Sequence, residues 1–233
     1  MNDAANDVSV VGGGAIGLAC AWRVAQRGLG VTVIDPEPGS GASHAAAGML
    51  CPVTEVQYGE EPLLALTMGS ARLWPAFAAE LIAVTGVDIG YRTEGTLTVA
   101  FNDDDLGALE DLFRFQQSLD LCVERLRPHQ CRELEPQLSP RVRGGIFVRG
   151  DHQVDNRRLV SALLIACEGA GVRFVRRRVA SLASDEEVER ATHVVLAAGC
   201  WSALLAAGVM VRPVKGQILR LRFEPSDPPI TRN

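Results

Sequence analysis

Three short stretches of this chain run apolar on both faces: VSVV at 8–11, VTVID at 31–35 and HVVLAA at 193–198. A strand of that kind fits a parallel sheet covered by helices. Between the first two, Gly14 to about Gln26 is rich in Ala, Leu, Ile and Trp and closes at Arg27-Gly28, a helix with a glycine stop signal. Strand, helix and strand make a βαβ unit of about 30 residues with a right-handed crossover. Elsewhere the period changes. GTLTVAF at 95–101 and GQILRLRF at 216–223 alternate, as in an antiparallel sheet with one solvated face.

Helical patterns cover 61–84, where Pro75 marks a break or kink, and 103–118, where NDDD supplies a cap and an acidic first turn. Further helices are expected over 127–136 and 156–170, and strands in GGIFVRG and VRFVRRRV. PEPGSGAS at 36–43 reads as a loop. The two kinds of strand interleave along the chain. The expected fold class is therefore α/β: a Rossmann-like domain with a parallel sheet, interleaved with part of an antiparallel-sheet domain. Residues 191–211 are apolar enough to resemble a membrane span, but Gly199 and Gly208 divide them into strand, turn and short helix.

Composition narrows the function. Hydrophobic residues make 47% of the 233 and charged residues 22%, which favours a folded core over disorder. A net charge of −5 argues against nucleic acid or an anionic membrane as partner. The run Arg176-Arg177-Arg178 reads as a solvated strand end. Cys20, Cys51, Cys122, Cys131, Cys167 and Cys200 show neither Cys-x-x-Cys spacing nor a histidine at zinc-ligand distance. They are expected to be reduced thiols of a cytoplasmic protein, and no metal site is expected. The acidic N-terminus MNDAAND has no apolar core of a signal peptide.

The chemistry lies where the first strand ends. Gly12-x-Gly14-x-x-Gly17 has the spacing of a dinucleotide fingerprint. Gly12 allows the tight turn, Gly14 lets a pyrophosphate approach the backbone, and Gly17 lets the helix pack close. The helix N-terminus then offers N–H groups and a partial positive charge to phosphates. Asp35 ends the second strand about 20 residues on, where a carboxylate accepts hydrogen bonds from a ribose diol and disfavours a 2′-phosphate. The tiny residues of GASHAAAGM, 41–49, let a backbone pass close to a flat ring, which points to FAD over NAD.

The segments VVGGGAIGLA, ASHAAAGM, GVDIGYRTEGTLTVAF, RELEP, VRGDHQVDNRRLVSAL, VVLAAGCWS and RPVKGQ stand in the order found in the glycine oxidases. The chain resembles that family, FAD enzymes of the D-amino-acid oxidase-like group often tied to thiamine biosynthesis, over residues 7–223. The resemblance implies that Ala15 and Ile16 lie along the FAD pyrophosphate. Asp35, usually Glu in the family, and Pro36 would hold the adenosine ribose. Ala42, Ser43, Ala47, Gly48 and Met49 would line the flavin and its linker. The Val179 backbone would meet the adenine, and Ala198-Gly199 would close over the cofactor. His44 is one residue out of register for covalent flavin attachment, so FAD is expected to be non-covalent. His129, His152 and His193 are expected on the surface or in structural roles. Asn156 stands where relatives usually have Pro, an expected loop change of little consequence.

The same resemblance assigns 7–84 and 144–211 to the FAD-binding domain and 85–143 and 212–233 to a substrate domain. It implies oxidation of glycine or a similar small amine or amino acid, with O2 reduced to H2O2. Sarcosine or D-amino-acid oxidation, a dehydrogenase, and the FAD module of a tRNA-modifying enzyme are the alternatives. No catalytic side chain stands out in 1–233. The family's chains run on past PVKGQ and carry there the arginine for the substrate carboxylate. A truncated, inactive flavin-binding fragment is therefore the non-enzyme alternative, and a homo-oligomer at full length is compatible with the resemblance. A segment shorter than the relatives' β-meander is expected between Val179 and Ala191.

Overall fold

The computed structural model describes residues 6–219 and 230–232. In chain order the elements are β1 Val8–Val11, α1 Ala15–Ala25, β2 Val31–Ile34, α2 Ala42–Ala45, β3 Met49–Leu50, α3 Glu61–Thr85, β4 Thr96–Ala100 and α4 Asp103–Ser118. There follow β5 Glu124–Leu126, α5 Pro128–Leu134, β6 Gly144–Val148, β7 His152–Gln153, α6 Asn156–Gly169, β8 Arg173–Val175, α7 Glu186–Glu189, β9 His193–Leu196 and α8 Ser202–Leu205.

Two compact units share these elements. The first takes the residues up to Ala47, Ala79–Ile89 and Asp155–Ile218. Its sheet is parallel, in the order β8-β2-β1-β9, with Val8 beside Val31 and His193. The two central strands are buried along their whole length. The near-continuous apolar runs require this, because helices cover a parallel sheet on both faces. α1 packs against α6, and Leu18 and Trp22 of the one and Leu163 and Cys167 of the other are fully buried, a large apolar side chain contributing about 1.5–3 kcal/mol. The Cys167 thiol donates to the Leu18 carbonyl at 3.3 Å, and burial pushes its pKa up to about 12. β9 departs from expectation. It is an edge strand with Val194 exposed, so only one of its sides is paired among the described residues.

The second unit takes Gly48–Ala78, Gly90–Val154, Leu219 and 230–232. Its three-stranded sheet β4-β6-β5 is antiparallel, with Thr96 opposite Val148 and Glu124 opposite Phe147. β3 and β7 pair separately. α4 begins as the sequence dictates: the Asn102 side chain accepts the Asp105 N–H at 2.8 Å, and Asp103, Asp104 and Asp105 face the positive end of the helix. Its Leu109 joins Val53, Ala100, Ile146 and Val148 in a core, while Leu97, Cys131, Val142 and Phe147 form another.

The compact units fall at other bounds than the anticipated domains. Residues 144–154, expected with the parallel sheet, belong to the second unit because β6 bonds to β4 and β5. Residues 48–78 move there too, because β3 pairs with β7. Residues 79–89 stay in the first unit, although 85–89 were expected in the other domain. The helix containing Pro75 does not break; α3 continues to Thr85, and Ala78 and Leu81 beyond the proline are fully buried. That burial offsets the roughly 3 kcal/mol that an interior proline costs. The strand expected over 216–223 is not formed at 216–219, and 220–223 lie outside the described residues. Between Val179 and Ala191 stand a 3-10 turn at Leu182–Ser184 and α7, in place of strands. Arg177 is not simply solvated, since its guanidinium makes a two-pronged pair with Asp185.

Candidate functional site

At the C-terminal end of β1 the chain turns through Gly12, Gly13 and Gly14 into α1. Gly12 has φ +110°, which L side chains rarely adopt, and a Cβ there would lie 2.3 Å from the Ala197 carbonyl oxygen. A Cβ on Gly17 would lie 1.9 Å from the Gly12 carbonyl oxygen. Both positions exclude any side chain through contact with backbone. Gly14 differs. Its φ of −77° suits any residue, and a Cβ would meet only the Ser43 hydroxyl, at 2.9 Å. Its lack of a side chain keeps clear the space in front of the α1 N-terminus.

That N-terminus carries no acidic residue in its first turn and no side-chain cap from Gly14. The Ala15 N–H donates instead to Ser43 Oγ at 2.9 Å. Ile16 stands 73% exposed, unusual for so large an apolar side chain beside a helix start. Asp35, just past β2, accepts the Gly13 N–H at 2.8 Å on one carboxylate oxygen and the Glu37 N–H at 2.7 Å on the other. Each oxygen keeps a further lone pair for an outside donor. Gly13 was not singled out from the sequence, yet its N–H fixes the carboxylate, and a Cβ there would press on Pro38 and Asp35.

α2 brings Ala42 and Ser43 to the same end of the sheet; Ala47 follows it and is exposed. Two backbone carbonyls of this segment, those of Ser43 and His44, accept from the Asn156 side chain at 2.5 and 3.0 Å. His44 itself is exposed. Ala197 N–H donates to the Val11 carbonyl at 2.8 Å, which sets Ala198 and Gly199 directly after β9; Gly199 has φ +55°. Val179 is buried with Val11, Ile34 and Val188. Pro36 is exposed beside Asp35. The first unit thus gathers Gly12, Gly14, Ala15, Ile16, Gly17, Asp35, Ala42, Ser43 and Ala198 around the C-terminal ends of parallel strands, where open α/β sheets bind ligands. Gly48 and Met49 fall in the second unit, the Gly48 carbonyl accepting the Val154 N–H at 2.9 Å and Met49 opposite Gln153.

The second unit holds a cavity of about 510 Å3, lined among others by Met49, Cys51, Pro52, Glu55, Glu60 and Trp74. Sequence reasoning did not find it. Its loop is held by Asp151, fully buried, which accepts the N–H groups of Val53 at 3.2 Å and Thr54 at 2.7 Å. Burial raises the Asp151 pKa, opposed by the bonds from Thr54 and Val53. Cys51 Sγ lies 3.2 Å from Thr96 Oγ1. Tyr91 OH lies 2.7 Å from His152 Nδ1, and burial raises the tyrosine pKa. His152 therefore has a defined partner that no local pattern announces.

A dinucleotide fits the first unit on these grounds. Its requirements are a glycine cradle with no Cβ, a helix N-terminus free of acid, and an oriented carboxylate at the end of the next strand, and all three are present. Among the described residues no helix is long and apolar enough to cross a membrane.

Residues 7–232 match the family described as FAD dependent oxidoreductase. The chain is similar to the glycine oxidase of Geobacillus kaustophilus, 34% identical over 232 residues, covering 93% of this chain and 61% of the relative. It is 35% identical over 231 residues to the bifunctional protein ThiO/ThiG of Synechocystis sp., covering 94% of this chain and 33% of that protein. The crystal structure of the Geobacillus kaustophilus glycine oxidase superposes with a TM-score of 0.79 over 87% of this chain and 58% of that structure. The chain thus spans about three fifths of the length of the glycine oxidase it matches and a third of the ThiO/ThiG protein.

Proposed function

The chain belongs to the FAD dependent oxidoreductase family, and from that premise we propose that it holds FAD non-covalently and serves the oxidation of glycine or a similar small amine or amino acid. The observation that carries the reading is the turn from β1 into α1, with Gly14 bare in front of the Ala15 N–H and Asp35 oriented by Gly13.

When bound, FAD supplies the hydride acceptor, so that the amine becomes an imine that water hydrolyses and O2 takes the electrons to give H2O2. The residues of this chain do the holding. The α1 N-terminus directs N–H groups and its dipole at the pyrophosphate, contributing about 0.3–1 kcal/mol per charge at an exposed site. Asp35, its two oxygens fixed by backbone donors, presents the remaining lone pairs to the ribose hydroxyls. Ala42, Ser43 and Ala47 keep the linker path of the first unit free of bulk. The Val179 backbone would meet the adenine, and the Ala198-Gly199 turn would close over the cofactor. His44, exposed, stays outside the chemistry.

Flavin content tests this directly. The protein should take up FAD, and Gly14→Val should lose it while remaining folded, because a branched side chain would stand where the pyrophosphate passes. A variant with normal flavin content would refute the pyrophosphate assignment. Anaerobic addition of glycine, sarcosine or D-alanine to the flavin-loaded protein, read as bleaching of the yellow band, then identifies the substrate class. Peroxide on admitting air separates an oxidase from a dehydrogenase.

A further inference from the structure

Asn156 is the first residue of α6 and is 6% exposed. Its place is fixed on the helix side: the preceding Asp155 caps α6, accepting the Arg157 and Arg158 N–H groups at 3.0 and 3.1 Å. Leu159, Leu163, Ala166 and Cys167 anchor the rest of α6 in the core. From this rigid base the Asn156 amide sends both hydrogens across 113 and 112 residues of sequence, to the carbonyls of Ser43 and His44. Those carbonyls belong to α2, a single turn of four residues. An isolated turn of that length does not hold itself, and its last carbonyls lack intrahelical partners. Asn156 supplies those partners. Arg157 Nε adds a longer bond, 3.3 Å, to the His44 carbonyl. The turn so held then offers Ser43 Oγ to the Ala15 N–H at the head of α1.

The bonds run in one chain from α6 through Asn156 and Ser43 to the start of α1. We propose that Asn156 is a positioning residue for the cofactor cradle, setting the Ser43 turn against the α1 N-terminus and thereby the affinity for FAD. This rests on the flavin reading above. Asn156 opens α6 and does not lie in the loop that the sequence suggests, and its burial and two bonds argue against a change of little consequence. A proline in its place could begin the helix equally well, since the first helical position needs no N–H donor, but it would have nothing to give the turn.

That asymmetry supplies the experiment. Asn156→Pro keeps the start of α6 and removes both donated bonds. Asn156→Asp keeps size and shape and replaces the donors with acceptors facing two carbonyl oxygens. FAD dissociation constants are measured by flavin fluorescence on the full chain. Amide exchange of the Gly14–Leu18 segment is measured on the same proteins without FAD. Both variants should weaken FAD binding about thirtyfold, the loss expected for two net hydrogen bonds of about 1 kcal/mol each. Both should speed exchange at Ala15 without FAD present. Ser43→Ala should speed that exchange in the parent chain and add nothing in Asn156→Pro. Unchanged FAD affinity and unchanged Ala15 exchange in the folded variants would overturn the proposal, and so would a lowered melting temperature with neither of these altered. A parent chain that takes up no FAD would refute the flavin reading and the role built on it, whereas normal FAD affinity in Asn156→Pro overturns the Asn156 role alone.

Discussion

Gly17→Ala and Gly14→Ala add the same methyl group three residues apart and should fail in different ways. At Gly17 the new carbon would lie 1.9 Å from the Gly12 carbonyl oxygen and 3.0 Å from its carbonyl carbon. Relief requires α1 to withdraw by about 1 Å from the end of β1, against buried Leu18, Ala21 and Trp22. Overpacking of this kind costs 1–3 kcal/mol where side chains can give, and backbone gives less. The expected loss is about 3 kcal/mol or more, a large part of a net stability of about 5–15 kcal/mol. With about 2–4 °C per kcal/mol for a chain this size, the melting temperature should fall by about 6–12 °C. At Gly14 the methyl meets only the Ser43 hydroxyl, which can rotate away at the loss of one hydrogen bond, about 1 kcal/mol. Its damage should be to FAD binding. Thermal melts without FAD and flavin titrations of both variants decide the matter. If Gly17→Ala melted with the parent chain, or Gly14→Ala unfolded while Gly17→Ala did not, the division of roles would be wrong.

Acid should weaken the first unit. Arg177 beside Asp185 and Arg173 beside Glu187 hold both carboxyls below the usual carboxylate range, so the stability they confer is present above the unfolded-state values and is lost as pH falls through the folded ones. Asp185→Asn should flatten the acid limb of a urea-melt series taken from neutral pH downwards; an unchanged limb would remove that pair from the account. Asp151 has the opposite sign: its raised pKa favours the protonated folded form, so its contribution falls as pH rises through the raised value. Because His44 is exposed and out of register for attachment, acid precipitation of flavin-loaded protein should leave all the yellow colour in the supernatant; colour in the pellet would show a covalent link. Gly107→Ala, inside α4 with open space around the new methyl group, should stabilise by about 0.5–1 kcal/mol in thermal melts, and a loss of stability would contradict that open space.

What the sequence disclosed, and what it did not, follows from the range of the forces. β1, α1 and β2 are visible because an apolar run, a 3.6-residue period and a glycine stop act within a few residues of one another. The cap at Asn102 is local in the same way. β3, β5 and β7 were not anticipated; with two or three residues each they show no period and exist only through their partners. At Pro75 the helix does not break: the proline's local cost is visible in the sequence, and the burial of Ala78 and Leu81 is not. The proposed cofactor site divides along the same line. Gly12, Gly14, Gly17 and Asp35 follow a spacing, whereas Gly13 acts through its N–H on Asp35 and Asn156 through bonds to residues more than a hundred positions away. The cavity beside Met49 depends on how α3 lies against the 49–57 loop, which no single segment encodes.

Thermal melting of the purified chain with FAD, with NAD and with neither tests most directly whether the β1–α1 turn holds FAD. A ligand present at a hundred times its dissociation constant stabilises by about 2.7 kcal/mol, or about 5–11 °C here. FAD should produce such a shift, NAD should not, and Gly14→Val should abolish the shift without lowering the melting temperature of the ligand-free protein by more than a few degrees. A folded chain whose melting is moved by NAD and not by FAD, or is moved by FAD equally in Gly14→Val, would contradict the account.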